Sequence, residues 1–145
     1  MDFNNSFHIS ASGMAVEKLR LDVTAANLAN MHSSAAAGGQ LYRPMQVVAR
    51  AVALSFSDQM GRVSALADGG VELASLAPQD VAPRMVYEPG HPDADSKGFV
   101  AYPGVNQSSE MINMMSALRA YEANVVAMNA AKTMAQRALD IGGQS

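Results

Sequence analysis

The sequence contains no cysteine, which excludes disulfide bonds and thiolate metal sites but is compatible with any redox compartment. Charge is also scarce, since Asp, Glu, Lys and Arg make up 16% of the 145 residues and the formal net charge is −3. We therefore expect no basic surface of the kind that binds nucleic acid. Hydrophobic residues make up 49% of the chain, a composition typical of a globular rather than a disordered protein.

The N-terminus lacks the pattern of a secretory signal. The first basic residue is Lys18, so no basic region followed by an apolar core stands at the start of the sequence. We therefore expect neither a cleaved signal peptide nor a membrane anchor.

Residues that could carry chemistry are few and scattered. The three histidines show no metal-ligand spacing, nothing singles out a nucleophilic serine, and no Gly-rich phosphate loop follows a strand. Asp93, Asp95 and Gly98 match three positions of a calcium loop, but Lys97 stands where an oxygen ligand is needed. We expect no catalytic residue, metal or cofactor, and interpret this segment as a turn held by side-chain to backbone hydrogen bonds.

The stretch 108–141 contains neither Gly nor Pro and predicts a helix that Ser108 or Ser109 caps and Gly142-Gly143 ends. Two seven-residue rows form a seam, one being Met111, Leu118, Val125 and Leu139 and the other Met114, Tyr121, Met128 and Ala135. A further row on another side consists of Ala120, Ala127, Met134 and Ile141. Such a helix is roughly 50 Å long. Because a chain of this size cannot cover it on all sides, we expect neighbouring molecules to do so.

A second helix is predicted over about Ser6 to Asn30. Its rows are Phe7, Met14, Leu21 and Leu28 on one side and Ile9, Val16 and Val23 on another. An internal helix of a bundle is one explanation of two apolar sides. We favour the other, in which the two terminal helices pair antiparallel through one row each and leave the remaining rows for other subunits.

Between the helices, short β-like runs alternate with Gly and Pro. The predicted strands are Tyr42–Phe56, Gly61–Ala67, Val71–Leu76, Arg84–Tyr87 and Phe99–Tyr102, with a turn at Asp68-Gly69-Gly70. The sequence therefore predicts an α+β fold in which long N- and C-terminal helices form a coiled-coil-like hairpin around a small inserted β-rich module. The expected division is a discontinuous helical domain of residues 1–34 and 108–145, and a β-rich module of residues 35–107.

Three segments resemble bacterial flagellar axial proteins. Residues 21–30 end in Asn-Leu-Ala-Asn, residues 86–95 read Val-Tyr-Glu-Pro-Gly-His-Pro-Asp-Ala-Asp, and residues 110–124 resemble the C-terminal helix of the same proteins. The second segment is the more specific and resembles the FlgC family of flagellar basal-body rod proteins. The matches span most of the chain and leave about residues 53–80 without a motif. The motif residues are Asn27, Asn30, Tyr87, Glu88, Pro89, His91 and Pro92.

This resemblance implies a structural subunit of the proximal rod that is not an enzyme. It would be exported by the flagellar type III apparatus without a cleaved signal and would assemble helically in the periplasm. Its partners would be copies of itself and other rod and axial proteins, with no nucleic acid and no membrane insertion. The expected assembly interface comprises Phe7, Met14, Leu21, Leu28, Met111, Leu118, Tyr121, Val125 and Met128.

Two other functions are compatible with the sequence. One is a soluble, monomeric helical adaptor that binds its partner through the β-rich module. The other is a hydrolase of cell-wall glycan, which needs two carboxylates about 5–10 Å apart. Only Glu88, Asp93 and Asp95 cluster in a way that could supply them.

Overall fold

The computed structural model describes residues 3–35, 39–51 and 70–142. The elements are, in chain order, α1 (Phe3–Ala29), β1 (Met45–Ala51), β2 (Val71–Pro78), β3 (Arg84–Tyr87), β4 (Phe99–Tyr102) and α2 (Gln107–Gly142). This order confirms the predicted α+β fold, with two long helices at the ends of the chain and a small antiparallel β module between them in sequence.

The two helices pack against each other in antiparallel orientation. Asn27 in α1 is hydrogen-bonded to Glu110 in α2, and Gly13 lies so close to Asn124 that a Cβ atom on Gly13 would be 2.9 Å from its side-chain amide. Moving 14 residues back along α1 therefore corresponds to moving 14 residues forward along α2. Because α1 has 27 residues and α2 has 36, the C-terminal part of α2 extends past the level of Phe3.

The start of α2 differs from the prediction. The side chain of Asn106 caps the helix, because its Oδ1 accepts a hydrogen bond from the N–H of Ser109 at 3.1 Å. The backbone carbonyl of Asn106 also accepts the N–H of Glu110 at 3.0 Å. The prediction that Ser108 or Ser109 caps the helix is wrong, because both already lie in the first turn.

The β1–β2 hairpin covers a second side of α1. Its register runs from Met45↔Pro78 to Ala51↔Val71, with an irregularity between Val48 and Ala49. The N–H of Val71 donates to Ser12 Oγ in α1 at 3.2 Å, which ties the start of β2 to the helix. Alternate residues of β1 are half-buried, namely Met45, Val47 and Ala49, as expected for a strand with one covered face.

The predictions for these strands have mixed outcomes. Strand β1 starts three residues later than predicted because Pro44 has no N–H for a ladder, while β2 starts at Val71 as predicted. The predicted strand Gly61–Ala67, the continuation of β1 to Phe56, and the first two residues of the predicted turn at Asp68 lie outside the described residues.

Strands β3 and β4 form a separate hairpin with the predicted boundaries. Its register runs from Arg84↔Tyr102 to Tyr87↔Phe99. One face is covered, since Val100 is 0% and Tyr102 9% exposed. The hairpin is joined to the loop after α1 by a hydrogen bond from Ser34 Oγ to Asp93 Oδ2 at 2.6 Å. The other face is open.

Candidate assembly interface

The side chain of Asn27 holds the two helices and the β module together at one end of α1. It is 1% exposed. Its Nδ2 donates to the carbonyl of Met45 at 2.8 Å and to Glu110 Oε2 at 3.0 Å. Its Oδ1 accepts the N–H of Met45 at 2.9 Å and the hydroxyl of Tyr42 at 2.8 Å. Both amide hydrogens and both carbonyl lone pairs are therefore used.

This arrangement favours the neutral form of Tyr42. Burial, and secondly the negative charge of Glu110, raise the pKa of the Tyr42 phenol. Since the neutral phenol is the form that donates to Asn27 Oδ1, the same surroundings stabilise the hydrogen bond. The first Asn of the Asn-Leu-Ala-Asn motif is thus a structural residue in this fold.

The second motif residue, Asn30, has a local role. Its Nδ2 donates to the carbonyl of Ala26 at 2.8 Å, one turn earlier in α1. Its carbonyl accepts both the N–H and the hydroxyl of Ser33. These contacts turn the chain away from the helix end.

The loop between β3 and β4 contains the expected turn. Asp95 Oδ1 accepts the N–H groups of Phe99 at 2.9 Å and Lys97 at 2.8 Å. These bonds, that of Phe99 first, hold the pKa of the Asp95 carboxyl below its usual range. Gly98 closes the loop with φ +81°, and a Cβ atom there would lie 2.9 Å from the ring of Tyr87.

Other motif residues hold the base of the same loop. Glu88 Oε2 accepts the hydroxyl of Tyr102 at 2.9 Å, and this bond is the main reason why the pKa of Tyr102 is raised. His91 Nδ1 accepts the N–H of Asp93 at 3.1 Å. Pro89 and Pro92 flank these contacts on the exposed surface. Within residues 3–35, 39–51 and 70–142, no three His, Asp or Glu side chains are grouped so that they could hold a metal ion.

Helix α2 is covered along one stripe. Its buried and half-buried residues are Glu110, Met114, Ala117, Ala120, Tyr121, Asn124, Val125, Met128, Ala131 and Ala135. The predicted row from Met114 to Ala135 therefore faces the interior of this chain. Small and polar residues dominate the rest of the stripe, which explains how α1 approaches so closely at Gly13.

The opposite side of α2 carries large apolar side chains in contact with solvent. They are 47% to 68% exposed and, at 100° per residue, fall within an arc of about 120°. We call this surface the outer face of α2, and it consists of Met111, Ile112, Met115, Leu118 and Val126. Met111, Ile112, Met115 and Leu118 form a contiguous apolar patch, which is the usual mark of a protein interface. Val126 lies two turns after Leu118, beyond the charged residues Arg119 and Glu122.

The part of α2 that extends past the level of Phe3 is still more open, with Leu139 74% and Ile141 78% exposed.

The structure separates the predicted interface residues into two groups. Met111 and Leu118 lie on the outer face, whereas the others are half-buried, namely Phe7, Met14, Leu21, Leu28, Tyr121, Val125 and Met128. Sequence reasoning missed Ile112, Met115 and Val126 as interface candidates, because they fall between the heptad rows. The uncharged run from Met111 to Leu118 is the signal that could have found Ile112 and Met115, whereas Val126 lies outside this run.

Comparison with known proteins identifies relatives of this chain. The family model for the C-terminal region of FlgEFG flagellar basal body rod proteins matches residues 96–141, which include all of β4 and nearly all of α2. The flagellar basal-body rod protein FlgC of Salmonella typhimurium is 40% identical over 138 residues, which cover 95% of this chain and 96% of that protein. FlgC of Bacillus subtilis is 37% identical over 145 residues, 95% and 97% of the two chains.

The chain belongs to the FlgC family of flagellar basal-body rod proteins. FlgC of Borreliella burgdorferi is 34% identical over 149 residues, 97% of this chain and 98% of that protein. Neither the adaptor nor the glycan hydrolase gains support from these relatives. Among the helices that the structure describes, none combines the length and apolarity needed to span a bilayer.

Proposed function

We propose that this structural rod subunit assembles helically in the proximal rod through the outer face of α2 and transmits torque from the motor to the hook. The observation that carries the proposal is the row of exposed apolar side chains opposite the stripe that contacts α1. Complete burial of one such side chain is worth about 1.5–3 kcal/mol. An interface of five, densely packed, resists shear because close-packed side chains transmit strain.

The helical pair provides a stiff support for this interface. We assign residues 1–34 and 108–145 to an axial core and residues 35–107 to a β-rich module. The hydrogen bonds of the Asn27 side chain, which we call the Asn27 node, fix the module to the core. Their partners come from β1, α2 and the loop before β1. A force that a neighbouring subunit exerts on α2 is therefore transmitted to the rest of this subunit.

The partners that fit this role are copies of this chain and other flagellar rod and axial proteins. We place the assembled subunit in the periplasmic part of the basal body, delivered by the flagellar type III export apparatus without a cleaved signal. Nothing in the role requires catalysis, and the carboxylates Glu88 and Asp93 accept hydrogen bonds from Tyr102 and Ser34.

A pair of matched variants tests the proposal. Ile112→Asp places a carboxylate on the outer face, where covering it without a partner costs several kcal/mol. Asn113→Asp adds the same charge at the next residue of α2, at an exposed position about 100° round the helix from Ile112 and outside that face. We expect Ile112→Asp to abolish swimming in soft agar and to remove complete basal bodies from membrane preparations, while Asn113→Asp retains both.

Circular dichroism of the purified variants provides the control for folding. Equal helix content in the two proteins would assign the assembly defect to the interface. Normal motility of Ile112→Asp would overturn the proposal.

A further inference from the structure

We infer that Met111 and Met115 form a reversible oxidation site on the outer face of α2, and that their conversion to methionine sulfoxide prevents the free subunit from assembling. This inference rests on the proposed function, because it names a chemical modification of the surface through which the subunit is proposed to assemble.

The two methionines are the oxidisable side chains of the outer face. The chain contains no cysteine, so its sulfur chemistry is that of methionine. Met111 is 52% and Met115 55% exposed. Because they are four residues apart, they are neighbours on the surface of α2. A methionine that is open to solvent is readily converted to its sulfoxide, so both are accessible to a dissolved peroxide.

Other methionines of α2 are better protected. Met114 lies between Met111 and Met115 in sequence but is half-buried, and so is Met128 further along the helix. Both belong to the stripe that faces α1, where the packed helix limits the approach of an oxidant. The fold therefore directs oxidation to the side of α2 that is proposed to meet a neighbouring subunit.

The reaction with hydrogen peroxide needs no cofactor. The sulfur lone pair attacks one peroxide oxygen, the O–O bond breaks, and the departing hydroxide takes the proton from the transferred oxygen to form water. The sulfur loses two electrons and the peroxide gains them. Methionine sulfoxide reductases reverse the change. In that direction two thiols are oxidised to a disulfide and the sulfoxide oxygen leaves as water.

Oxidation changes the outer face from apolar to polar. A thioether packs as a flexible apolar group, whereas a sulfoxide oxygen accepts hydrogen bonds and is costly to cover without a donor. Met111 and Met115 are two of the four side chains of the contiguous patch, the others being Ile112 and Leu118. In the assembled rod a neighbour would cover both sulfur atoms, so the site is open in the free subunit and closed after assembly.

Peptide mass spectrometry tests where oxidation occurs. The purified full chain is treated with hydrogen peroxide at neutral pH and sampled over time. We expect sulfoxide to form severalfold faster at Met111 and Met115 than at the half-buried Met114. In isolated basal bodies, we expect the rate at Met111 and Met115 to fall severalfold below that of the free chain. Equal rates at all three methionines of the free chain, or unchanged rates in basal bodies, would overturn the inference.

Two double variants test the effect on assembly. Met111→Leu, Met115→Leu keeps apolar side chains of similar volume and removes both sulfur atoms. We expect it to assemble normally, and to form severalfold more new basal bodies than the natural chain when growing cells are exposed to sublethal hydrogen peroxide. Met111→Gln, Met115→Gln introduces polar side chains of similar length, and we expect severalfold fewer basal bodies without peroxide. Asn113→Gln, at an exposed position outside the outer face, is the control.

The outcomes separate this inference from the proposed function. Equal losses under peroxide for the natural chain and the Leu double variant would overturn the inference, and so would normal assembly of a Gln double variant. Circular dichroism shows whether the Gln double variant is folded, and the comparison under peroxide decides the matter if it is not. Failure of the proposed function would instead appear as normal assembly of Ile112→Asp.

Discussion

Asn27 at the end of α1 donates a hydrogen bond to Glu110 in the first turn of α2, with an N···O distance of 3.0 Å across 83 positions of sequence. The same amide is bonded to both backbone groups of Met45. Because Asn27 and Glu110 are nearly fully buried, an unpaired group at either position is costly. This node is the point where the two helices and the first strand are fixed to one another.

Replacement of Asn27 is therefore expected to destabilise the subunit. Asn27→Ala leaves the Met45 backbone groups, the Tyr42 hydroxyl and Glu110 without their partner, and we expect the free energy of unfolding to fall by about 3 kcal/mol. Asn30→Ala, which removes one bond within the same helix turn, should cost less than about 1 kcal/mol. Urea unfolding of the full chain measures both. Equal losses in the two variants would contradict the assigned role of the node.

Gly98 is expected to be irreplaceable in the β3–β4 loop. Gly98→Ala combines a φ of +81° with a Cβ atom 2.9 Å from the Tyr87 ring, and we expect a loss of about 1–3 kcal/mol. Gly90→Ala in the same loop is the matched control, since a Cβ atom there meets nothing within 4 Å. The comparison requires only thermal unfolding curves. An unchanged midpoint for Gly98→Ala would show that the loop adjusts without strain.

The contribution of Asp95 to the stability of the folded state depends on pH. Its pKa is held below the ordinary value of 3.8, mainly by the N–H of Phe99. The ionised carboxylate therefore stabilises the folded state above that pH, and this stabilisation is lost as the pH falls through the folded-state pKa. We expect Asp95→Asn to be less stable than the natural chain at neutral pH and to lose less stability on acidification. Parallel curves of unfolding free energy against pH, from pH 7 to about pH 2, would refute this expectation. Asp22→Asn, at an exposed position of α1, serves as the control.

Substitutions at two adjacent valines are expected to distinguish a folding defect from an assembly defect. Val125 is half-buried at the edge of the stripe facing α1, whereas Val126 is 68% exposed on the outer face. We expect Val125→Asp to lower the melting temperature and abolish assembly, because it buries an unpaired carboxylate within the subunit. Val126→Asp should leave the melting temperature nearly unchanged and still prevent assembly. If both variants melt alike, the division between inner stripe and outer face is wrong.

Much of the local structure could be predicted from the sequence. The Gly- and Pro-free stretch after Asn106 predicts α2 because nothing in it breaks a helix, and the boundaries of β3 and β4 follow from the prolines and glycines around them. The residue that caps α2 could not be identified from the sequence, because Asn106, Ser108 and Ser109 are all of types that favour the N-cap position. Only the bond from Ser109 to Asn106 shows which one is used.

The candidate interface was only partly predictable. A seven-residue row shows that a helix side is apolar, but it does not say whether the same chain or a neighbour covers it. In the row that contains Met111 and Leu118, these two residues are exposed but Val125 is half-buried, and the row that contains Met114 and Met128 lies inside. Ile112 and Val126 were missed because residues that face away from the subunit need not follow the seven-residue spacing of the internal seam.

The sequence by itself determined the two helices, strands β3 and β4 and the motifs that mark the family, because these depend on local propensity and on contiguous residues. The tertiary structure decided which side of α2 faces its own chain. There the small residues Gly13 and Ala117 permit close approach, and Met114 and Met128 face the interior whereas Met111 and Ile112 remain outside. It also decided the role of Asn27, since four hydrogen bonds to distant segments leave no local pattern in the sequence.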